Sequence, residues 1–444
     1  MKTKSTYQFT ITRFSLQIVF AFVFLFSSVN GFSQAESPYS RYGLGTLRNP
    51  VFSANQGMGF LSAPYMSAVN INYSNPASYA FLSRTTIEIG ALIDGNHLTT
   101  GDSSYRSGGG SVNHFAIALV PSYKKTAWAL SLGLMPYSNV DYNFVQTFND
   151  PSIGQYSENY IGSGSLYTAY AGGAVKIKGF AIGANLGFIF GKLSYQKIIS
   201  FPTDSAGSYA TRNIDDVNIK GFSYNVGVQY QKQIYHNRDD PDARRDIYAF
   251  FGAYGSGGTS LTAKVNSYWD RYNFPVSTGT QAIVDTLQQG VLQTGKIKMP
   301  VSVGAGLMFG NERFWLLGAD FKYTTWSDYT TILDNGGLAN SWQLSVGAQI
   351  TPKYDDLNYF KHMQYRLGAY YGKSEISFNG DHLSQGGATI GLGFPFKSVA
   401  HINLTGDFGE LGDPGNKQIV QQAYYRFTVG FVLNDIWFIK RKFD

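Results

Sequence analysis

Pro300-Val301-Ser302-Val303-Gly304-Ala305-Gly306-Leu307-Met308-Phe309-Gly310 sorts its side chains into two sets. Val301, Val303, Ala305, Leu307 and Phe309 fall on one side, and Ser302, Gly304, Gly306, Met308 and Gly310 on the other. Only an extended strand separates residues at this period. Phe180 to Gly191 divides the same way, with Phe180, Ile182, Ala184, Leu186, Phe188 and Phe190 opposite Ala181, Gly183, Asn185, Gly187 and Gly191. About fourteen such segments recur between Thr85 and Leu433. One face is apolar and the other small or polar. In a soluble sandwich the apolar face turns to a core; in a transmembrane barrel it turns to lipid.

The N-terminus selects the barrel. Lys2, Lys4 and Arg13 form a basic region, Phe14 to Phe26 an apolar one, and Ser33-Gln34-Ala35 a cleavage site of small residues, so residues 1–35 read as a secretory signal peptide. The apolar run is short for a retained membrane helix and is broken by Ser15 and Gln17. The chain has no cysteine, which removes both a disulfide framework and a lipoprotein anchor. Its 32 Tyr and 33 Phe suit the aromatic girdles of a barrel. The net charge of +6 raises nucleic acid as a partner, but the cations are scattered over strand ends and turns, with no basic stripe or stacking motif, so that class is set aside.

The links between segments alternate in length. Short ones lie at Lys124-Lys125, Lys176 to Gly179, His236 to Asp246, Gly310 to Arg313, Pro352 to His362 and Pro395 to Ser398; long ones include Asp94 to Gly110, Val140 to Tyr160 and Tyr254 to Gln293. Six short and seven long links predict an antiparallel transmembrane β-barrel of about fourteen strands, with both ends of the barrel at the periplasm of a Gram-negative outer membrane. The expected organisation is a signal peptide over 1–35, an N-terminal plug over 36–83, the barrel over 84–434 and a periplasmic tail over 435–444. The plug segment is too rich in Gly, Ser, Asn and Pro to pack alone, and a fourteen-stranded lumen is wide enough to hold it.

Gly57-Met58-Gly59 followed by Asn70-Ile71-Asn72-Tyr73-Ser74-Asn75-Pro76-Ala77 resembles the hatch of the FadL-like outer-membrane transporters of hydrophobic compounds. Physically, Asn75 is a good helix N-cap and Pro76 fits the first helical position, so Asn75, Pro76 and Ala77 can start a short helix beneath the lumen. Met299-Pro300-Val301-Ser302 and Lys322-Tyr323-Thr324-Thr325-Trp326-Ser327 resemble that family's middle hairpin, and Arg366-Leu367-Gly368-Ala369-Tyr370-Tyr371 the strand that follows. The resemblance implies a fourteen-stranded barrel with an N-terminal hatch in the lumen. Several family members move long-chain fatty acids or aromatic hydrocarbons through a lateral opening at a kinked third strand. Others are non-transporting barrels that serve in type IX secretion. Here the third strand, Trp128 to Tyr137, holds Gly133 and Pro136, which either bend it into a gate or, in the case of Pro136, end it.

Alternation places Asp320, Lys322, Arg366, Asp407 and Arg426 on the lumen side, away from the roughly 2 to 4 kcal/mol that Arg or Lys costs facing lipid at the midplane. Two roles stay open for them: pairing with neighbouring strands or hatch backbone, and, for Arg366 or Arg426, meeting the carboxylate of an amphiphile. An enzyme reading lacks support. The six histidines are dispersed; His114, beside Asn113, is the nearest to a catalytic base but lies in no nucleophile motif. No residue set has the spacing of a metal site, Asp215-Asp216 and Asp239-Asp240 lack the order of a calcium loop, and no cofactor motif is present. Lys440, Arg441 and Lys442 form a basic tail that reads as a solvated terminus or a contact for lipid or a partner. The expected partners are outer-membrane lipid and a hydrophobic small molecule. The expected function is passive uptake through a hatch-gated channel, with Asn75 to Ala77 as the moving part. The competing class is a barrel subunit of an outer-membrane secretion or assembly machine.

Overall fold

The computed structural model describes residues 37–101, 103–121, 127–201, 209–236, 246–273, 282–333, 337–354, 356, 358–378, 381–396, 399–413, 416 and 419–437. The signal segment, Lys124-Lys125, Asp239-Asp240 and the basic tail Lys440 to Lys442 lie outside the described residues. A two-residue strand, β1 (Thr46–Leu47), precedes sixteen longer ones: β2 (Thr85–Thr100), β3 (Ser103–Leu119), β4 (Ala127–Asp150), β5 (Gly154–Ile177), β6 (Phe180–Ser200), β7 (Ala210–Tyr235), β8 (Ile247–Gly257), β9 (Ser260–Asn273), β10 (Ala282–Lys298), β11 (Val301–Asn311), β12 (Trp315–Thr324), β13 (Ser341–Ile350), β14 (Gln364–Phe378), β15 (Asp381–Phe396), β16 (Ala400–Gly412) and β17 (Gln421–Asp435). Each strand from β2 to β8 and from β11 to β17 pairs antiparallel with its neighbour. β17 returns to β2 from Gln421 opposite Thr99 to Asp435 opposite Thr85, and β8 pairs directly with β11. A closed barrel of fourteen strands results.

The alternation sets which face meets lipid. Along β11 the odd residues Val301 to Phe309 are exposed while Gly304, Met308 and Gly310 are buried, and β6 repeats the pattern from Phe180 to Phe190. Trp128, Phe180, Tyr230, Trp315, Tyr365 and Phe396 stay exposed near the short-turn ends of their strands and form an aromatic girdle there.

The strands run further than the ladder of about ten residues that spans a bilayer. They reach 24 residues in β4 and β5 and 26 in β7. Much of what reads as long links is therefore strand that continues past the membrane. Asp94 to Gly110 lies in the β2–β3 hairpin, whose turn is near Gly101, and Val140 to Tyr160 lies in the β4–β5 hairpin. Tyr254 to Gln293, expected as a loop, contains β9 and most of β10, which pair with each other while β9 also pairs with β7 from Ala210 to Lys220. β8 and β9 form one strand direction interrupted at Gly257 and Gly258, both at positive φ, as β10 and β11 are at Met299-Pro300. Outside lipid the outward face need not be apolar, so the period-two signal fades where the ladder itself does not.

Candidate functional site

Residues 37–84 thread the lumen. At the end away from the short turns, Ser37 N donates to Asp141 O at 2.9 Å, and Tyr39 packs with Ile376, Leu383 and Ile419 while its hydroxyl donates to Val420 O. The chain then descends through β1, turns in a short helix at Ser53–Gln56 and crosses the lumen to a 3-10 helix at Pro76–Phe81 before entering β2. Pro76 supplies the first helical position and Asn75 caps it, with Oδ1 accepting from Ala77 N at 3.3 Å.

A segment without regular ladders must satisfy its backbone elsewhere, and here the barrel wall does so. Three wall carboxylates accept hatch N–H groups. Asp320 takes Ser62 and Ala63 at 2.6 and 2.9 Å, Glu312 takes Ala68 at 2.9 Å, and Glu88 takes Ile71 at 3.3 Å. Wall amides donate to hatch carbonyls: Asn185 to Tyr73 at 3.2 Å, Asn225 to Tyr73 and Ser74 at 3.0 Å, and Gln229 to Ala63 and Tyr65 at 3.0 and 3.1 Å. Glycine brings the wall this close. A Cβ at Gly183 would lie 2.6 Å from Pro76 O, and one at Gly227, Gly252, Gly347, Gly368 or Gly430 would collide with Asn75, Ala63, Met58, Gly59 or Ser53. Asn75 is keyed further, its amide donating to Ala63 O at 2.8 Å.

The five lumen charges separate into different environments. Asp320 holds the hatch. Asp407 and Arg426 come together at 3.4 Å, with the Tyr370 hydroxyl on Asp407 at 2.8 Å and the Arg426 guanidinium 4.1 Å above the Tyr424 ring. Among the described residues Arg366 meets no carboxylate: it donates to Gln349 at 2.7 Å, to Asn403 at 2.8 Å and to Gln364, and Asn403 in turn donates to Asn70 of the hatch at 3.2 Å. Lys322 makes no hydrogen bond or ion pair among the described residues. His114 lines the lumen, stacked on Phe52 at 3.8 Å with Nε2 3.4 Å from Glu88, and the hydroxyl of Ser53 meets Glu88 and not the imidazole. That is a packing contact, since a general base must hold the nucleophile itself. Among the described residues, no three His, Asp or Glu side chains gather as metal ligands. Glu88, Glu312, Asn185, Asn225 and Gln229 are the anchors that sequence reasoning did not single out. The lumen-side parity of Glu88, Asn185, Asn225 and Gln229 is visible, but their hatch partners are not, and Glu312 lies in a turn, where no parity applies.

The wall opens between β3 and β4. β3 pairs with β2 up to Ser103, and β4 with β5 up to Asp150, but the two pair with each other only over Phe115–Leu119 and Leu130–Leu134. Pro136 does not end the strand; it sits inside β4, at a register shift between Pro136 and Ser138. It has no N–H to donate, and the bulged residue Tyr137 turns the strand. Gly133 marks a close approach, since a Cβ there would sit 2.7 Å from Phe115 O. Past the bulge, β4 pairs with the hatch and not with β3: Thr46 lies opposite Asn139, Leu47 opposite Ser138, and Arg48 N donates to Tyr137 O at 2.9 Å. Beside this seam is a cavity of about 290 Å³, whose lining includes Leu47, Pro136, Tyr137, Tyr254, Trp326 and Lys322.

The family model described as BamG matches residues 14–444. No curated protein sequence matches the chain. Among solved structures, a Pseudomonas aeruginosa FadL homologue is similar at TM-score 0.56 and 13% identity, over 88% of this chain and 99% of that one. The Ralstonia pickettii toluene transporter TbuX is similar at 0.53 and 10% identity, over 87% and 99%. The Pseudomonas putida toluene transporter TodX is similar at 0.51 and 15% identity, over 91% and 100%. At these identities the likeness is one of fold.

Proposed function

The chain belongs to the BamG family, and from that premise we propose that it is an outer-membrane channel admitting hydrophobic small molecules, long-chain fatty acids among them, by lateral passage between β3 and β4. One observation carries the reading: the β3–β4 ladder stops after Leu134 while both strands continue, and a cavity lies beside the break. Unpaired strand edges at membrane depth are tolerated only where they line a cavity or are buried in protein. The fold shared with two toluene transporters and a FadL homologue supports the same reading. No energy-coupling motif is visible in the sequence, so flux follows the concentration gradient.

The gate in this proposal is the leg Leu44 to Pro50, and Asn75 to Ala77 stays fixed. The leg's strand pairing with the wall is two residues of β1, whereas Asn75 to Ala77 is keyed against Gly183 and Gly227. Lys322, which lines the cavity together with Glu375 and makes no ion pair among the described residues, supplies the cation for an amphiphile's head. The test is uptake of oleate and of toluene by liposomes holding the purified protein, against a variant that lacks Tyr137 and carries Pro136→Val, so that β3 and β4 can pair through the bulge. Equal uptake by both proteins sinks the lateral route.

A second reading, a barrel subunit of an outer-membrane secretion or assembly machine, is favoured by the β9–β10 hairpin. It rises beyond the wall with Ile283, Val284, Leu287 and Leu292 exposed. An exposed apolar strand is a site for protein contact. Purification from native membranes in mild detergent decides between the readings: stoichiometric companion proteins support the machine, and a lone barrel with ligand in its lumen supports transport.

A further inference from the structure

At the short-turn end of the barrel, beneath the hatch, is a second cavity of about 410 Å³. It shares no lining residue with the cavity at the seam. Its volume falls within the roughly 300 to 1,000 Å³ of small-molecule sites. Met66, Phe81, Tyr248 and Phe250 supply the apolar part of its lining, Ser67, Gln231 and Asn311 the polar part, and Lys176, Arg313 and Glu312 the charge.

Neither cation forms an ion pair among the described residues. Lys176 Nζ lies 4.3 Å from the centre of the Phe81 ring and Arg313 5.7 Å from that of Tyr354. The one carboxylate in the lining, Glu312, is already engaged, accepting from Ser67 Oγ at 2.7 Å and Ala68 N at 2.9 Å. Burial pushes the Glu312 carboxyl above its ordinary value, while its hydrogen bonds from Ser67 and Ala68 and the Arg313 and Arg366 charges pull it back. Two cations that share one already hydrogen-bonded carboxylate, beside a hollow with aromatic side chains in its wall, are complementary to a molecule with an anionic head and an alkyl chain.

We propose that this periplasmic mouth is a binding site for a single-chain anionic amphiphile, with its head between Lys176 and Arg313 and its chain against Phe81, Tyr248 and Phe250. The carboxylate of a fatty acid and the phosphate of a lysophospholipid share this chemistry. The proposal needs no passage through the seam and stands or falls apart from it. Because Ser67 and Ala68 form part of the lining and are tied to Glu312, an occupant also touches the hatch.

The full chain in nanodiscs is titrated with dodecanoate, dodecyl phosphate and dodecanol, and is labelled with a photoreactive fatty acid whose cross-links are mapped by mass spectrometry. The expected result is labelling at Met66, Phe81, Tyr248 or Phe250. The Lys176→Gln/Arg313→Gln double variant should bind the anions roughly tenfold more weakly or worse, as loss of a charge-assisted contact implies, with dodecanol unchanged. The Lys176→Arg/Arg313→Lys variant should retain binding, which guards against a folding defect. Tighter binding of the phosphate identifies a leaflet lipid as the source, and tighter binding of the carboxylate an imported acid. Equal weakening of dodecanoate and dodecanol in the Gln variant, or the absence of cross-links at the mouth, overturns the site.

Discussion

Arg366 and Lys322 show why a lumen-facing cation is not by itself a ligand site. Both sit on the inner parity of their strands, yet each nitrogen of the Arg366 guanidinium already donates, to Gln349, Asn403 and Gln364, and through Asn403 it steadies Asn70. Replacing it strands those acceptors in a buried wall. Hydrogen bonds to charged groups contribute roughly 1.5 to 3 kcal/mol each. Arg366→Met should therefore lower the midpoint of urea unfolding while leaving the uptake rate of the surviving folded protein close to normal. Lys322→Met should do the reverse, slowing oleate uptake without shifting unfolding. Equal effects of the two substitutions on uptake would remove the distinction drawn between them. The wall glycines make the complementary case. Gly252 lies under Ala63 O, so Gly252→Val should lift the hatch, at a cost of about 1 to 3 kcal/mol, and admit chymotrypsin to Tyr65 or Tyr73. Gly255→Val, whose Cβ has nothing nearer than 3.8 Å, is the control that should stay resistant.

β4 carries the functional argument at the scale of the element, and its lower and upper parts differ in how plainly they read. From Ala127 to Leu134 the alternation of Trp128, Leu130, Leu132 and Leu134 with buried Ala129 and Ser131 is that of a lipid-facing strand. Beyond Pro136 residues on both faces become covered, Ser138, Asn139 and Val140 alike, because the hatch packs where β3 has departed. No period marks such a stretch, so a proline inside a strand could not be told from one that ends it. The hairpins past the membrane hid for a related reason. Ala210 to Lys220 is paired throughout but has no lipid to keep one face apolar. Glu88, by contrast, stands between Ile87 and Ile89 and could have been placed in the lumen by the parity that placed Asp320; only its partner Ile71 N was beyond reach. The gate assigned to β1 is open to a direct test, since the chain has no native cysteine to interfere. Thr46 and Asn139 are ladder partners, so Thr46→Cys with Asn139→Cys should cross-link on oxidation. Oleate uptake should stop when the bond forms and return on reduction. Full uptake by the oxidised protein would mean that β1 does not move.

Taken as one molecule, the chain joins two bodies that stabilise each other and a third that packs on both through Leu261, Ala263, Val265 and Ile297 but through which the wall does not close. The hatch brings Tyr65, Tyr79, Met58, Leu61 and Ile71 to nearly complete burial against the wall, and each such side chain contributes roughly 1.5 to 3 kcal/mol. The barrel gains a filled lumen, and the hatch gains the donors and acceptors it lacks. The β9–β10 hairpin is different, because wall closure does not pass through it: β8 and β11 pair directly from Gly257 opposite Val301 to Tyr248 opposite Gly310. Removing residues 260–298 and joining Thr259 to Met299, which already lie in hydrogen-bond contact, should therefore leave a barrel that folds, shifts its electrophoretic mobility on heating as an intact β-barrel does, and still takes up oleate. The two functional readings then part. A channel working alone keeps its activity and its cellular role without the hairpin. A machine subunit keeps its fold but loses the companions that co-purify with the full chain, since the apolar row Ile283, Val284, Leu287 and Leu292 leaves with the deletion. A truncated barrel that holds every companion of the intact protein would show that the hairpin is not where those proteins bind.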